Sequence, residues 1–157
     1  MTQSKSKETL YPTFFVQFVI ANLVAVYVFI EGQSKPLWDV LTDPNTYIAI
    51  IFSIAIAFAL MMYIHCFTLL LDHKIPLENG FNKRLAFQLL VCALVPVHID
   101  LAIVKVYMWL FNVDFEASRY TTSEFPLAKI LIYLMNGWYM NIQIQNLKNK
   151  TASVPDD

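Results

Sequence analysis

An all-α integral membrane protein is the fold class this sequence predicts, an up-down bundle of four transmembrane helices with the N and C termini cytoplasmic. Three observations lead there. The 157 residues are 57% hydrophobic and 15% charged, at a mean hydropathy of +0.51, more apolar surface than a soluble domain of this size can hide. Four apolar stretches, 13–30, 47–71, 85–111 and 127–144, are each long enough to cross a hydrocarbon layer of ~30 Å as a helix. The basic residues outside these spans fall mainly on one side. Lys5, Lys7, Lys74, Lys83, Arg84, Lys148 and Lys150 occupy the two tails and the middle connection, against only Lys35 and Arg119 in the other two. Positive charge is retained on the cytoplasmic side, so the tail 1–12, the middle loop and the tail 146–157 are expected inside. The spans and their short connections, 13–145, form one domain with no room for a second.

The first span follows Lys5 and Lys7 as a signal peptide would, but its apolar run is long and no small-x-small cleavage site follows at Glu31-Gly32-Gln33. An uncleaved signal anchor is expected. The loop 31–46 contains Pro36, Trp38 and Pro44, and the loop 112–126 contains Phe115, Tyr120 and Phe125. Aromatic rings of this kind suit the headgroup zone, where an apolar body and a polar tip are both satisfied. Ser53, Ala55, Ala57 and Ala59 on the second span are small enough for a neighbouring backbone to approach. Pro76, Asn79 and Gly80 make 72–84 a turn. Pro126 suits the first turn of the fourth helix, with Ser123 or Thr122 as its N-cap. The tail 146–157 reads as unordered.

The third span carries the residues that demand explanation. Counted from Arg84 at about 1.5 Å per residue, Asp100 lies ~24 Å into the bilayer and Lys105 ~31 Å, where its ammonium can snorkel to the outer headgroups. A carboxylate at the depth of Asp100 costs roughly 2.5–3.5 kcal/mol unless it is paired, protonated or hydrated. Gln88, Cys92, Pro96 and Asp100 are four apart and share a face that should point into the bundle. Pro96 has no N–H, so the Cys92 carbonyl becomes a free acceptor and a kink is expected there. Partners for Asp100 are expected from Asn22 or Tyr27, from Ser53, and from Asn136 or Tyr133. Asp100 then serves a buried network that fixes helix register, serves with His98 as a ligand or proton site, or meets solvent at a kinked outer end.

Several chemistries find no support. His65 lies ~9 Å from the inner end of its helix and His98 ~21 Å, a mismatch of ~12 Å that argues against bis-histidine haem. His65 and Cys66 are adjacent, so they diverge around a helix and make no metal site. Cys66 and Cys92 lie inside spans and read as free thiols. No catalytic triad, phosphate loop or carboxylate pair at catalytic spacing is visible, so no catalytic residue, cofactor or metal is assigned, and the chain reads as not an enzyme. A net charge of −1 without a basic cluster gives no basis for binding nucleic acid.

The fourth span differs in texture, with Asn136, Gly137, Trp138, Tyr139, Asn141, Gln143 and Gln145 making its second half polar. Such a helix either exits through the headgroups or continues and passes movement to a partner. The run from Tyr120 to Leu127, followed by an apolar helix with Asn136, Trp138 and Tyr139, resembles the last external loop and fourth helix of a sensor-like module. That module is the four-helix membrane region found ahead of LytTR-type DNA-binding domains in bacteria. The third span, ending Tyr107-Met108-Trp109-Leu110-Phe111, is similar too. The family's DNA-binding domain has no counterpart among these residues. The resemblance implies signal relay, and makes Glu124 and Tyr120 the external residues of interest.

The candidate functional residues are therefore Asp100, His98, Lys105, Asn136, Glu124 and Tyr120. The expected function is a sensory, regulatory or assembly module of the bacterial inner membrane, relaying an external or membrane signal to the cytoplasm. The alternative is a subunit of an oligomeric transporter or channel using the third helix, and a lipid or quinone enzyme comes last. Expected partners are the lipid bilayer and either a second copy or a cytoplasmic or membrane protein.

Overall fold

The computed structural model describes residues 11–32, 36–77, 80–116, 118 and 120–152, with Leu37 described by its backbone alone. Lys5, Lys7, Lys35, Asn79, Arg119 and the segment 153–157, on which several expectations fell, lie outside them. All regular structure among the described residues is helical: α1 (Phe14–Gly32), α2 (Leu37–Thr42), α3 (Pro44–Lys74), α4 (Phe81–Leu89), α5 (Val95–Leu110) and α6 (Phe125–Ala152). A π turn, Leu90–Leu94, joins α4 and α5 into one continuous helix, and a second, Tyr120–Glu124, leads into α6.

The helix boundaries have local causes. The Asp43 side chain caps α3 by accepting from the Asn45 N–H at 2.9 Å, and Pro44 fills a first-turn position that needs no donor. His73 and Lys74 place positive charge at the C-terminal end of its dipole. Gly80, at φ 146°, makes the turn into α4 in a conformation closed to side-chain-bearing residues. α5 ends in a Schellman motif. Asn112 takes φ 52°, its N–H donates to Trp109 and the Val113 N–H donates to Met108.

The π turn follows from Pro96. Without an N–H at that position the Cys92 carbonyl has no partner in an α-helix, and the ring crowds it. Here the chain widens, and the Val95 N–H donates five residues back to Leu90. The expected disturbance at Pro96 is thus a π turn just ahead of it.

Three helical segments, α1, α3 and Phe81–Leu110, are long and apolar enough to cross a membrane. α6 is longer than α1, but its polar second half keeps it outside that set, where a fourth span was expected. It also runs to Ala152, so 146–152 are helical and not an unordered tail. The loop 31–46 contains α2, and the turn 72–84 is shorter than expected because Asp72 and Arg84 are both helical. The N-cap expected at Ser123 or Thr122 falls inside the π turn, which carries the helix through both residues; Pro126 does lie in the first turn.

Polarity is distributed as expected of helices able to cross a membrane. Phe15 is 72% exposed and Ile51 68%, whereas Gln17, Thr68, Arg84, Gln88, Asp100, Asn136 and Gln143 are buried. In hydrocarbon, helices gain little by hiding leucine, and association rests on close packing and hydrogen bonds. The close packing comes from Ala21 and Ala25 of α1 and Ala93 of the π turn. Ala55 and Ala59, expected in that role, are exposed, while Ser53 and Ala57 border a cavity.

At one end of the molecule the elements are clasped by charge. Arg84 is 0% exposed; its Nη2 donates to Asp72 Oδ1 at 2.7 Å and to the Thr68 carbonyl at 3.2 Å. The Tyr11 hydroxyl, ahead of α1, donates to the other Asp72 oxygen, and its ring stacks on Tyr139 of α6. Burial, then the hydrogen bond and charge of Asp72, hold the Tyr11 hydroxyl protonated well above the usual tyrosine range. Arg84 is therefore an internal ion-pair partner and not a loop charge. Asp72→Asn should cost about 3 kcal/mol of stability, because it leaves a buried guanidinium unpaired. Asp72→Leu combined with Arg84→Met should recover most of that loss, as read by denaturant unfolding in detergent.

Candidate functional site

The face shared by Gln88, Cys92, Pro96 and Asp100 does point inward, and Arg84 begins it one turn earlier. This stripe supplies polar groups to two clusters, one at each end of the interior.

The first cluster lies at the Arg84 end. Gln88 Nε2 donates to Thr68 Oγ1 at 3.1 Å and to Asn136 Oδ1 at 3.2 Å. The Asn136 amide donates to the Ile132 carbonyl at 3.0 Å and to the Cys92 carbonyl that Pro96 sets free. Gln17 Nε2 donates to the Pro12 carbonyl at 2.8 Å and lies 3.4 Å from the Tyr139 hydroxyl, which also meets His65 Nδ1 at 3.0 Å. Arg84 Nε and Nη1, Gln17 Oε1 and Gln88 Oε1 are buried without a protein partner among the described residues. Asn136 thus belongs to this cluster and not, as one expectation had it, to Asp100.

The second cluster caps a partly open cavity of about 270 Å³ between α1, α3, α5 and α6. Its walls are apolar, with Ala21 and Ala25 on one side and Leu131 and Ile132 on another. Apart from Ser53, its polar boundary consists of Asp100, Tyr120 and Glu124. Asp100 is 6% exposed and accepts from the Tyr120 hydroxyl at 2.6 Å through Oδ2. None of the partners expected for it (Asn22, Tyr27, Ser53, Asn136, Tyr133) makes this bond. Asn22 instead donates to the Phe18 carbonyl of its own helix. Tyr120 is buried, and burial followed by the charge of Asp100 keeps its hydroxyl protonated far above the usual range, as a donor must be.

Glu124 closes the same end. A Cβ built on Gly32 would lie 2.1 Å from Glu124 Oε1, so the carboxyl rests directly on the last residue of α1 where any side chain would displace it. Among the described residues neither Asp100 nor Glu124 has an ion-pair partner. Glu124 lies in the turn before α6. Burial first, and the charge of Asp100 second, push its carboxyl above the ordinary glutamate range.

The candidate residues thus separate. Asp100, Tyr120 and Glu124 meet at one cavity end. His98, two residues from Asp100, is exposed on the opposite side with Nδ1 2.8 Å from the Leu94 carbonyl, so the two form no joint site. Lys105 is exposed, its ammonium 5.1 Å from the Phe115 ring centroid. Sequence reasoning missed Tyr11, Gln17, Thr68, Asp72, Arg84, Tyr139 and Gln143 as members of a buried cluster. A glutamine inside an apolar run and the extension of the four-residue stripe back to Arg84 were signals that could have found two of them.

Tyr120→Phe should leave Asp100 without its donor and cost about 1–3 kcal/mol in unfolding measurements. For Glu124 the folded state holds the proton more tightly than the unfolded state. Its contribution is therefore complete below the ordinary glutamate pKa, about 4.3, and is lost as pH rises through the raised value. Thermal midpoints of the parent protein should fall over that window, and Glu124→Gln should flatten the decline. Against known proteins, the chain matches no family model, no curated protein and no solved structure.

Proposed function

We propose that this chain is a non-enzymatic sensory or regulatory module of the bacterial inner membrane, in which occupancy of the cavity is relayed to the cytoplasm by α6. The observation that carries this reading is the continuity of α6. Ala128, Ile132 and Met135 border the cavity, and Asn136, Tyr139 and Gln143 in the following turns are buried at the Arg84 end. A helix shifts as a rigid rod, so a displacement at one end reaches the other. In the resemblance to the LytTR-associated module, the same helix would lead to a DNA-binding partner.

The reading takes α6 as the fourth span of an up-down bundle, its 28 residues reaching about 42 Å. The Arg84 end is taken as cytoplasmic, because Lys74, Lys83, Lys148 and Lys150 gather on that side of the spans. A fluorescent protein fused after Asp157, of the kind that matures only in the cytoplasm, should be bright in bacteria. A transcriptional reporter coupled to the same C-terminus should change output in Glu124→Gln and Tyr120→Phe at unchanged membrane abundance. Output identical to the parent in both variants would count against relay.

A second reading, a subunit of an oligomeric transporter or channel, draws on the buried polar groups at both ends of the cavity. Flux through reconstituted vesicles that is lost in Asp100→Asn would select it.

A further inference from the structure

The polar end of the cavity has a charge pattern that names a ligand class. Two carboxyls, Asp100 and Glu124, border it, and no described cation answers either one. Arg84 is committed to Asp72 at the far end, Lys105 sits over Phe115, and Lys129 sits over Phe125 at 4.6 Å from the ring centroid. Tyr120 meets Oδ2 of Asp100, which is 6% exposed and borders the cavity. A carboxylate facing an apolar space is costly until a donor or positive charge reaches it.

The remaining boundary is hydrocarbon, and its size is informative. At about 270 Å³ the space is nearly twice that of an engineered cavity of ~150 Å³ that accepts benzene, so it matches a body of roughly ten carbons. Access is from the bilayer side of α6, where Leu134 both borders the cavity and is 63% exposed. A solute reaching it by this route must already partition into lipid.

We propose that the cavity binds an amphiphilic amine, its hydrocarbon body between α1, α3 and α6 and its ammonium donating to Asp100 Oδ1 and Glu124. This inference rests on the sensory reading for its consequence but not for its chemistry. A neutral alcohol of the same shape fills the same space and offers one donor, yet leaves the two acidic groups uncompensated. The ammonium offers three donors and a charge. Glu124 then leaves its place against Gly32 to meet the head, which draws the turn before α6 toward the cavity.

The test uses the full chain in phosphatidylcholine nanodiscs, whose zwitterionic headgroups do not concentrate cations. The probes are 1-naphthylmethylammonium and its neutral counterpart 1-naphthylmethanol, read by thermal unfolding. The ammonium should raise the midpoint saturably, with at least tenfold tighter apparent affinity than the alcohol. That preference should disappear in Glu124→Gln, which lies outside the spans, and in Asp100→Asn. Ala128→Phe, which fills the cavity while keeping both carboxyls, should abolish both shifts. Equal shifts by the two compounds, or an ammonium shift that survives Ala128→Phe, would overturn the proposal. If the ammonium binds as described but leaves the C-terminal reporter unchanged, relay fails and the site stands. If Glu124→Gln alters the reporter while the ammonium does not bind, the ligand class fails and relay stands.

Discussion

Pro96 imposes the constraint on which the other contacts depend. A proline within a membrane helix removes one backbone donor, and hydrocarbon supplies no replacement. The Cys92 carbonyl must be satisfied from elsewhere, and the donor is the Asn136 amide on α6. This single bond fixes the depth and rotation of α6 against the α4–α5 helix. Two antiparallel helices joined at Cys92 and Asn136 have their other levels determined by the rise per residue. Eight residues beyond Cys92 lies Asp100, and eight before Asn136 lies Ala128; both border the cavity. The acidic end and the proline are therefore parts of one register.

The interior is organised by polar contacts, while much of the outer surface of the helices is apolar. In water, exposed Phe15 and Ile51 would be anomalous; in lipid, a leucine on the surface and a leucine in the core differ little. What distinguishes one packing from another is which buried amide meets which carbonyl, and how closely alanines let two backbones approach. The ion pair of Arg84 with Asp72 adds a clasp where Tyr11, α3, α4 and Tyr139 converge. Among the described residues the opposite end has no such clasp. It holds Asp100 and Glu124, which both border the cavity.

What could be read from the residues was whatever lies within one helix. The spacing of Gln88, Cys92, Pro96 and Asp100 places them on one face by geometry alone, and the missing N–H of Pro96 frees one identifiable carbonyl. Both statements hold in the structure. What could not be read depends on two helices meeting. Tyr120 reaches Asp100 because the turn before α6 tucks inward, and no periodicity in a loop signals that. Arg84 looked like a charge beside a helix end, and only the nearness of Asp72 makes its burial tolerable. His98 was drawn toward Asp100 by adjacency, although residues two apart on a helix face different ways. Polarity at Asn141, Gln143 and Gln145 left open whether α6 exits through the headgroups or continues, and 146–157 read as unordered. Gln143 is instead buried in the interior, and the helix continues beyond it.

Gly32 shows how such an end can act as a moving part. A glycine ending α1 would ordinarily be read as a C-terminal stop. Here its missing Cβ also makes room for the Glu124 carboxyl, which belongs to the turn that starts α6. Three elements therefore meet at the acidic end with little to hold them. α1 contributes a backbone surface, α5 a carboxyl held by one phenol, and the turn before α6 a glutamate without a cation among the described residues. A positive head entering between Asp100 and Glu124 replaces the repulsion of two carboxyls with attraction to both. Under the proposed relay, a displacement there would pass along α6, because the turn Tyr120–Glu124 carries two of the three polar groups at that end and runs directly into that helix.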